Sequence, residues 1–286
     1  MGLVNSAEQN LKNSVSVLIN TCDNYEDVWE PFFFFFKKYW DCPYKVYLNT
    51  ESKTCYEPGV STINCKGKNL SWSARLKFAL KKIKTEYVIF FLEDFFLLDK
   101  VNQPTIDESI KIIENDKKIS VINYDTSNDV GVKLVNVVGL KKRSEKSDYV
   151  LNCQVALWRR KDLILYLSKY ESAWQFETYG SQRAKLFGKS FLFYEDKNKL
   201  PFKYIVKRDI GYGVYGGKWL KSNIKLFAEN GISVDFSKMG FANNEIPPSA
   251  VIPPKKCLKE RWMYLLYGGG EKARTEIRSE EHTSEL

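Results

Sequence analysis

The stretch "YVIFFLEDFFLL", residues 87–98, places two adjacent carboxylates, Glu93 and Asp94, between two blocks of bulky apolar side chains. The run before the acids has the length and composition of a buried strand in a parallel sheet. Moving an ionised carboxylate out of water is costly unless the group is paired or bound to a cation. Neighbouring strand residues point to opposite faces, so at least one of these acids is expected to project into a crevice at the strand end.

The segments around this strand alternate between strand and helix. Strands are predicted for "VSVLIN", "YKVYLNT", "VSTINC", "YVIFFL" and "ISVINYD". Helices are predicted for "VWEPFFFFFKKYW", "SWSARLKFALKKIKTEY" and "TIDESIKIIENDKK", with Pro31 near the first turn of the first and Ser71 or Ser73 capping the second. The first ~125 residues therefore predict an α/β fold, a mostly parallel central sheet flanked by helices, with ligands bound beyond the carboxyl ends of the strands.

The second half of the chain is less regular. Strands are predicted on both sides of a basic loop at 141–146, and helices for "RKDLILYLSKY" and "WQFETYGSQRAKLFG", the latter ending at Gly188. The glycine-rich segment "GYGVYGGKW" (211–219) is either a hairpin or a loop that closes over a diphosphate with Arg208 or Lys218. "IPPSAVIPP" predicts extended chain.

The composition restricts the class of protein. The 286 residues are 44% hydrophobic and 15% aromatic, which favours a sizeable core over disorder. Apolar runs stay well short of the ~20 residues of a membrane helix, and the first residues lack the order of a signal peptide. The six cysteines form no CxxC pair, so thiols in a reducing cytoplasm are expected.

The net charge of +9 indicates a lysine-rich solvated surface, an anionic membrane partner or an anionic substrate such as a nucleotide. Nucleic acid is not expected, since the sequence has no arginine-rich helix, zinc-ligand spacing or RNP motif. The last nine residues, "RSEEHTSEL" (278–286), look like a translated sequencing adapter and are expected to be non-native. They include His282, the single histidine of the chain.

The acid pair is typical of a site for a divalent cation. Mg²⁺ and Mn²⁺ prefer hard oxygen ligands, often one or two carboxylates together with phosphates and water. Such an ion neutralises the charge of a diphosphate leaving group. Asp94 is the first candidate ligand and Glu93 the second; alternatively, the pair caps the next turn or pairs with a lysine.

The order of "VSVLINTCDNYE", "YKVYLNTES" and "WSARLKFALKKIKTEYVIFFLEDFFLL" resembles that of GT-A fold glycosyltransferases, particularly family 2-like enzymes of bacterial surface-polysaccharide synthesis. The resemblance covers residues 14–125 well and 150–190 loosely. It implies one catalytic domain over 1–277, with a nucleotide-sugar-binding half at 14–125 and an acceptor half at 126–277. This chain has "LEDFF" where the family has a spaced D-x-D, which leaves its metal dependence open.

The resemblance also implies a reaction and its participants: an inverting transfer of a sugar from a nucleotide-sugar to a glycan or lipid-linked acceptor, with Mn²⁺ or Mg²⁺. The enzyme would be cytoplasmic, with peripheral contact at the anionic inner membrane face. The implied donor-binding residues are Thr21, Asp23, Asn24, Asn49, Trp72, Arg75 and Glu93. An Asx-stabilised turn is the alternative for the residues after the first strand.

Arg75 opposes the helix dipole at the start of its helix, so it needs another reason to be there. Binding a diphosphate is one reason, since a guanidinium matches phosphate bidentately; a surface arginine is the alternative.

The segment "ESAWQFETYGS" is the candidate acceptor site. An inverting transferase needs a base that takes the proton of the acceptor hydroxyl, and the resemblance gives this role to Glu177, with Glu171 second. Trp174 would stack on a sugar ring. The alternatives are a helix cap for Glu177 and a core position for Trp174. Two other functions stay open: a nucleotidyltransferase acting on sugar phosphates, and a non-catalytic nucleotide- or sugar-binding module.

Overall fold

The computed structural model describes residues 13–126, 132–133, 139–144, 146–147, 149–204 and 213–242. Arg208, the segment 246–254 and the tail 278–286 lie outside these residues, as do the first two residues of the glycine-rich segment. Among the helices within these ranges, none has both the length and the apolar character needed to cross a membrane.

The described residues form one nine-stranded sheet and one two-stranded hairpin. The strands are β1 Val15–Asn20, β2 Lys45–Thr50, β3 Val60–Asn64, β4 Tyr87–Leu92, β5 Ile119–Asn123, β6 Val132–Lys133, β7 Leu140–Lys142, β8 Ala156–Arg159, β9 Ser190–Tyr194, β10 Val214–Tyr215 and β11 Lys218–Trp219. The main sheet has the order β3-β2-β1-β4-β8-β5-β9-β7-β6. Within it β7 and β8 run against the other strands, so the predicted mostly parallel α/β architecture is confirmed.

Seven helices flank or follow the sheet in the described ranges: α1 Glu26–Tyr39, α2 Trp72–Lys82, α3 Gln103–Asn115, α4 Arg160–Tyr166, α5 Ala173–Gln175, α6 Ser181–Lys185 and α7 Ser222–Glu229. A wide π-type turn, Phe176–Gly180, joins α5 to α6. Ser71 rather than Ser73 caps α2, because its hydroxyl accepts the N–H of Ala74. Pro31 lies two residues deeper in its helix than predicted, since α1 begins at Glu26 rather than at Val28.

The sheet separates two hydrophobic clusters, as the alternation of strand side chains requires. In β1, Val17 and Ile19 join the cluster that contains the phenylalanines of α1 and the isoleucines of α3, whereas Leu18 joins the cluster beneath α2 and α4. Each fully buried phenylalanine contributes about 1.5–3 kcal/mol relative to an exposed one. Both faces of the central strands are therefore dry, and polar groups collect at the strand ends.

Candidate active site

The carboxyl ends of β1 and β4 are neighbours. The chain runs from β1 to β2 and β3 on one side, and then returns to place β4 on the other side of β1. Ligands of open α/β sheets bind in the crevice at such a reversal. In the register of this pair, Asn20 lies opposite Leu92, so Thr21 and Glu93 leave the sheet side by side.

Glu93 and Asp94 form a close acidic pair in the turn after β4. Glu93 is buried, whereas Asp94 is partly exposed. Burial, followed by the charge of Asp94, raises the pKa of Glu93; the nearby Arg75 guanidinium and the Thr21 hydroxyl oppose this rise. Burial also raises the pKa of Asp94, against a hydrogen bond from the N–H of Val214. Bringing two ionised carboxylates together here is unfavourable without a cation.

The two carboxylates of Glu93 and Asp94 can hold a small hard cation if oxygens of another ligand complete its coordination shell. Within the described part of the chain, no group of three His, Cys, Asp or Glu side chains is arranged to hold a metal ion. Mg²⁺ is commonly bound by one or two carboxylates, with phosphate and water oxygens completing the shell. Glu93 and Asp94 satisfy that requirement only together with a phosphate-bearing ligand.

Asp23 braces two loops. Its carboxylate accepts the backbone N–H groups of Glu51, Ser52 and Lys53, and its own N–H donates to Glu51 Oε2 at 2.9 Å. Burial would raise the pKa of Asp23, but the bonds from Ser52, Lys53 and Glu51 outweigh it and lower that pKa. With its oxygens engaged in this way, the side chain is better explained as a brace between the β1 and β2 loops than as a contact to a base.

Arg75 is a buried arginine at the rim of the same crevice, so the surface-arginine alternative is wrong. Its Nη1 donates to Glu51 Oε1 at 2.7 Å, and its Nε has no hydrogen-bond partner among the described residues. The guanidinium therefore balances the acidic groups of the crevice and retains an unused donor.

Three other predicted donor residues occupy different environments. Asn49 is fully buried and its Nδ2 donates to Asn20 Oδ1 at 2.6 Å, so it belongs to the interior of the sheet. The Trp72 ring packs 5.6 Å from that of Phe176, in the cluster beneath α2. Asn24 is exposed in a short 3-10 turn, on the crevice side of β1.

Glu177 reaches the same edge of the sheet from the π-type turn. Because β8 is antiparallel to β4 and β5, the residues before β8 lie at the carboxyl ends of those strands. The carboxylate of Glu177 accepts the N–H of Cys153 there at 2.7 Å. Burial, reinforced by the charge of Asp125, raises the pKa of Glu177 from 4.5 to about 6, a value suited to a general base near neutral pH.

The two remaining acceptor candidates differ sharply. Glu171 is buried, and its two oxygens accept Nη1 and Nη2 of Arg183 at 2.5 Å each, so its carboxylate is committed to an internal ion pair. Trp174 exposes 60% of its surface, so the core alternative is wrong for this residue. It lies three residues before Glu177, one helical turn away.

Several residues of this edge give no signal in the sequence. Asp125 accepts Arg143 Nη2 at 3.0 Å and Asn152 Nδ2 at 2.6 Å, which fixes the loop that supplies the N–H to Glu177. The glycine-rich segment forms the hairpin β10–β11, and Val214 N–H donates to Asp94 Oδ2 at 3.4 Å. These contacts join segments that are distant in the chain, so no local pattern announces them.

No protein-family model matches the chain, and no curated protein sequence matches it. Solved structures with a similar fold include Staphylococcus aureus TarS 1–349 in complex with UDP (14% identity, TM-score 0.46, 68% of this chain and 60% of that one). They also include the same protein in complex with UDP-GlcNAc (16% identity, TM-score 0.46, 79% of this chain and 68% of that one). A third is a cytidylyltransferase from Leptospira borgpetersenii (13% identity, TM-score 0.41, 68% of this chain and 82% of that one). At this level of similarity function has to be argued from the site itself.

Proposed function

We propose that the protein is a glycosyltransferase that moves a sugar from a nucleotide-sugar to a hydroxyl acceptor with inversion. The observation behind this proposal is the shared edge: the acid pair follows β4, and the carboxylate of Glu177 accepts the N–H of Cys153 just before the antiparallel β8, so both lie at the same edge of the sheet. A transferase of this kind needs a grip on a diphosphate and, separately, a base for the acceptor.

In the proposed reaction, Glu177 takes the proton of the acceptor hydroxyl as that oxygen attacks the anomeric carbon. The new bond between oxygen and the anomeric carbon forms while the bond from that carbon to the diphosphate oxygen breaks, and the nucleoside diphosphate leaves. The N–H of Cys153 holds the Glu177 carboxylate in place. The exposed ring of Trp174, one turn earlier, would stack on the acceptor sugar.

Asp94 and Glu93 would hold a divalent cation together with the diphosphate oxygens. When bound, the ion supplies Lewis-acid stabilisation of the leaving group. Arg75 adds a fixed positive charge at the rim, oriented by Glu51, and Thr21 places a hydroxyl beside Glu93. Asp23 and Glu51 keep the two loops that would face the nucleoside in register.

A nucleotidyltransferase would share the sheet and the carboxylate-held ion. The observation against it is the loop after β1, where such an enzyme usually needs open backbone N–H groups and basic side chains. Here the N–H of Asp23 is taken by Glu51, and the loop sequence "TCDNYED" is acidic.

Calorimetry with UDP, with and without Mn²⁺, tests the proposal together with a panel of nucleotide-sugars assayed for hydrolysis and transfer. We expect metal-dependent UDP binding that Asp94→Ala abolishes. Asp99→Ala is the matched control. Asp99 lies five residues after Asp94, is exposed, and is paired with Lys203. Unchanged sugar transfer by a folded Asp94→Ala protein would refute the metal role, and nucleotide binding without any transfer would favour a binding module.

The acceptor, a growing or lipid-linked surface glycan, and contact with an anionic membrane face belong to the same proposal. They rest on the basic net charge and on the resemblance of the sequence to surface-polysaccharide enzymes. Flotation with vesicles that contain anionic or only zwitterionic lipids would measure that contact.

A further inference from the structure

The turn that contains Asp94 is held by a segment far away in the chain. Gly213 N–H donates to the backbone oxygen of Asp94 at 3.0 Å, and Val214 N–H donates to its Oδ2 at 3.4 Å. Two consecutive amides of the β10 end therefore hold both the main chain and the side chain of one residue. Within the turn, the N–H of Phe95 donates to the backbone oxygen of Leu92 at 3.4 Å, a long hydrogen bond.

This approach is so close that it requires glycine. A Cβ on Gly213 would lie 2.8 Å from Cζ of Phe96 and 3.0 Å from the backbone oxygen of Asp94. Phe96 is fully buried, and its ring lies 5.8 Å from that of Phe35 and 5.5 Å from that of Phe227. The ring therefore has little room to retreat, and any side chain at position 213 pushes the segment away from Asp94.

The other side of Gly213 is fixed as well. Its carbonyl oxygen accepts Nδ2 of Asn223 and, at 3.4 Å, the N–H of Leu220. Asn223 is fully buried in the first turn of α7, and the Phe227 ring of that helix packs 6.2 Å from Phe35 of α1. Helix α1 thus supports α7, α7 supports Gly213, and Gly213 supports Asp94.

From these contacts we infer that Gly213 and Asn223 are positioning residues for Asp94: they set the direction of the carboxylate that, in the proposed function, grips the cation and the donor diphosphate. The inference rests on that proposed function for its chemistry, and on the contacts above for its geometry. It assigns a role to the glycine-rich segment that differs from a loop closing over the donor.

The test combines Mn²⁺–UDP calorimetry with crystal structures of the variants. Gly213→Ala is expected to weaken Mn²⁺-dependent UDP binding at least tenfold, to leave metal-free UDP binding unchanged, and to shift the Asp94 carboxylate. Asn223→Ala, a second variant in case the first does not fold, is expected to act in the same direction. Phe96→Leu in the Gly213→Ala background removes the clashing ring atoms and is expected to restore part of the affinity.

Gly231→Ala is the matched control. Gly231 lies just beyond α7 at a φ of +67°, so alanine strains the same unit without touching Asp94, and Mn²⁺–UDP affinity should stay at the wild-type value. A folded Gly213→Ala protein with wild-type affinity and an unmoved Asp94 carboxylate would overturn the inference. Failure of the wild type to bind UDP with Mn²⁺ would instead refute the proposed function, and the variant's crystal structure would still decide the positioning role.

Discussion

Arg75 Nη1 lies 2.7 Å from Glu51 Oε1, and this ion pair joins the first turn of α2 to the loop after β2 at the rim of the candidate active site. The side chain of Arg75 is 7% exposed and that of Glu51 is 35% exposed. The pair is therefore intermediate between a solvated surface bridge and a dry one.

Glu51→Ala should destabilise the protein by about 1–3 kcal/mol. This is a smaller loss than expected when a fully buried ion pair is broken, because Glu51 is partly solvated. The loss arises because Arg75 keeps its burial and loses its counter-charge, and because the N–H of Asp23 loses its acceptor. Chemical denaturation gives the change in the free energy of unfolding. Glu26→Ala, which breaks the exposed pair with Lys53, is the control and should cost less than about 1 kcal/mol. Equal losses in both variants would contradict this account of the rim.

Glu177 should make stability depend on pH. Burial raises its pKa from 4.5 in the unfolded chain to about 6 in the folded protein, so the folded state binds more protons between these values. The free energy of unfolding should therefore fall as the pH rises through this window, by at most about 2 kcal/mol. The measurement is denaturation of wild type and Glu177→Gln from pH 4 to 7.5, and the variant should lack this fall.

The same titration should appear in catalysis if Glu177 is the base. Because only the ionised carboxylate accepts a proton, the transfer rate should rise with an apparent pKa near the value of about 6 for this group. Glu177→Gln should lose at least about a hundredfold in kcat. A variant that keeps its rate, or a pH profile that is flat across this window, would remove Glu177 from the mechanism.

Glu171 should prove structural. Glu171→Ala leaves the largely buried Arg183 guanidinium without its counter-charge and should cost about 3 kcal/mol. The double variant Glu171→Leu with Arg183→Met should recover much of that loss, since an apolar pair of similar volume needs no desolvated charge. Thermal melts of the single and double variants check this. If a stable Glu171→Ala protein showed a raised acceptor KM, Glu171 would belong to the acceptor site instead.

Trp174, unlike Glu171, should matter for acceptor binding and not for the stability of the fold. Because 60% of its surface is exposed, Trp174→Ala should change the free energy of unfolding by no more than about 0.5 kcal/mol. Loss of ring stacking on the acceptor should raise the acceptor KM about fivefold, equivalent to about 1 kcal/mol. Leu186→Ala, at another exposed apolar residue, serves as the control and should leave KM unchanged. A large loss of stability in Trp174→Ala would indicate packing rather than binding.

The strands and helices of the first half were predictable because their signals are local. "VSVLIN" forms β1 over the predicted residues, and "YVIFFL" forms β4 directly before Glu93. The single helix predicted for "WQFETYGSQRAKLFG" in the second half was less accurate, because this segment forms parts of two short helices with a π-type turn between them. That turn carries Glu177, and hydrophobic periodicity does not register a one-residue widening of a helix.

The partners of the polar residues were not predictable. The sequence allowed Asp23 to contact a base, Glu171 to bind an acceptor and Arg75 to lie on the surface. The structure instead gives Asp23 the amides of the next loop, Glu171 the guanidinium of Arg183, and Arg75 the carboxylate of Glu51. Each of these charges can be satisfied by several groups of the chain, and only distances in the folded protein select among them.

By itself, then, the sequence determined an alternating α/β chain with an acidic pair at the exit of its central strand, because side-chain period and burial are properties of neighbouring residues. Only the tertiary structure decided which acids are braced, paired or available, and that a glycine 119 positions beyond Asp94 holds its turn. Hydrogen bonds form wherever packing brings donors and acceptors within about 3 Å, whatever their separation along the chain.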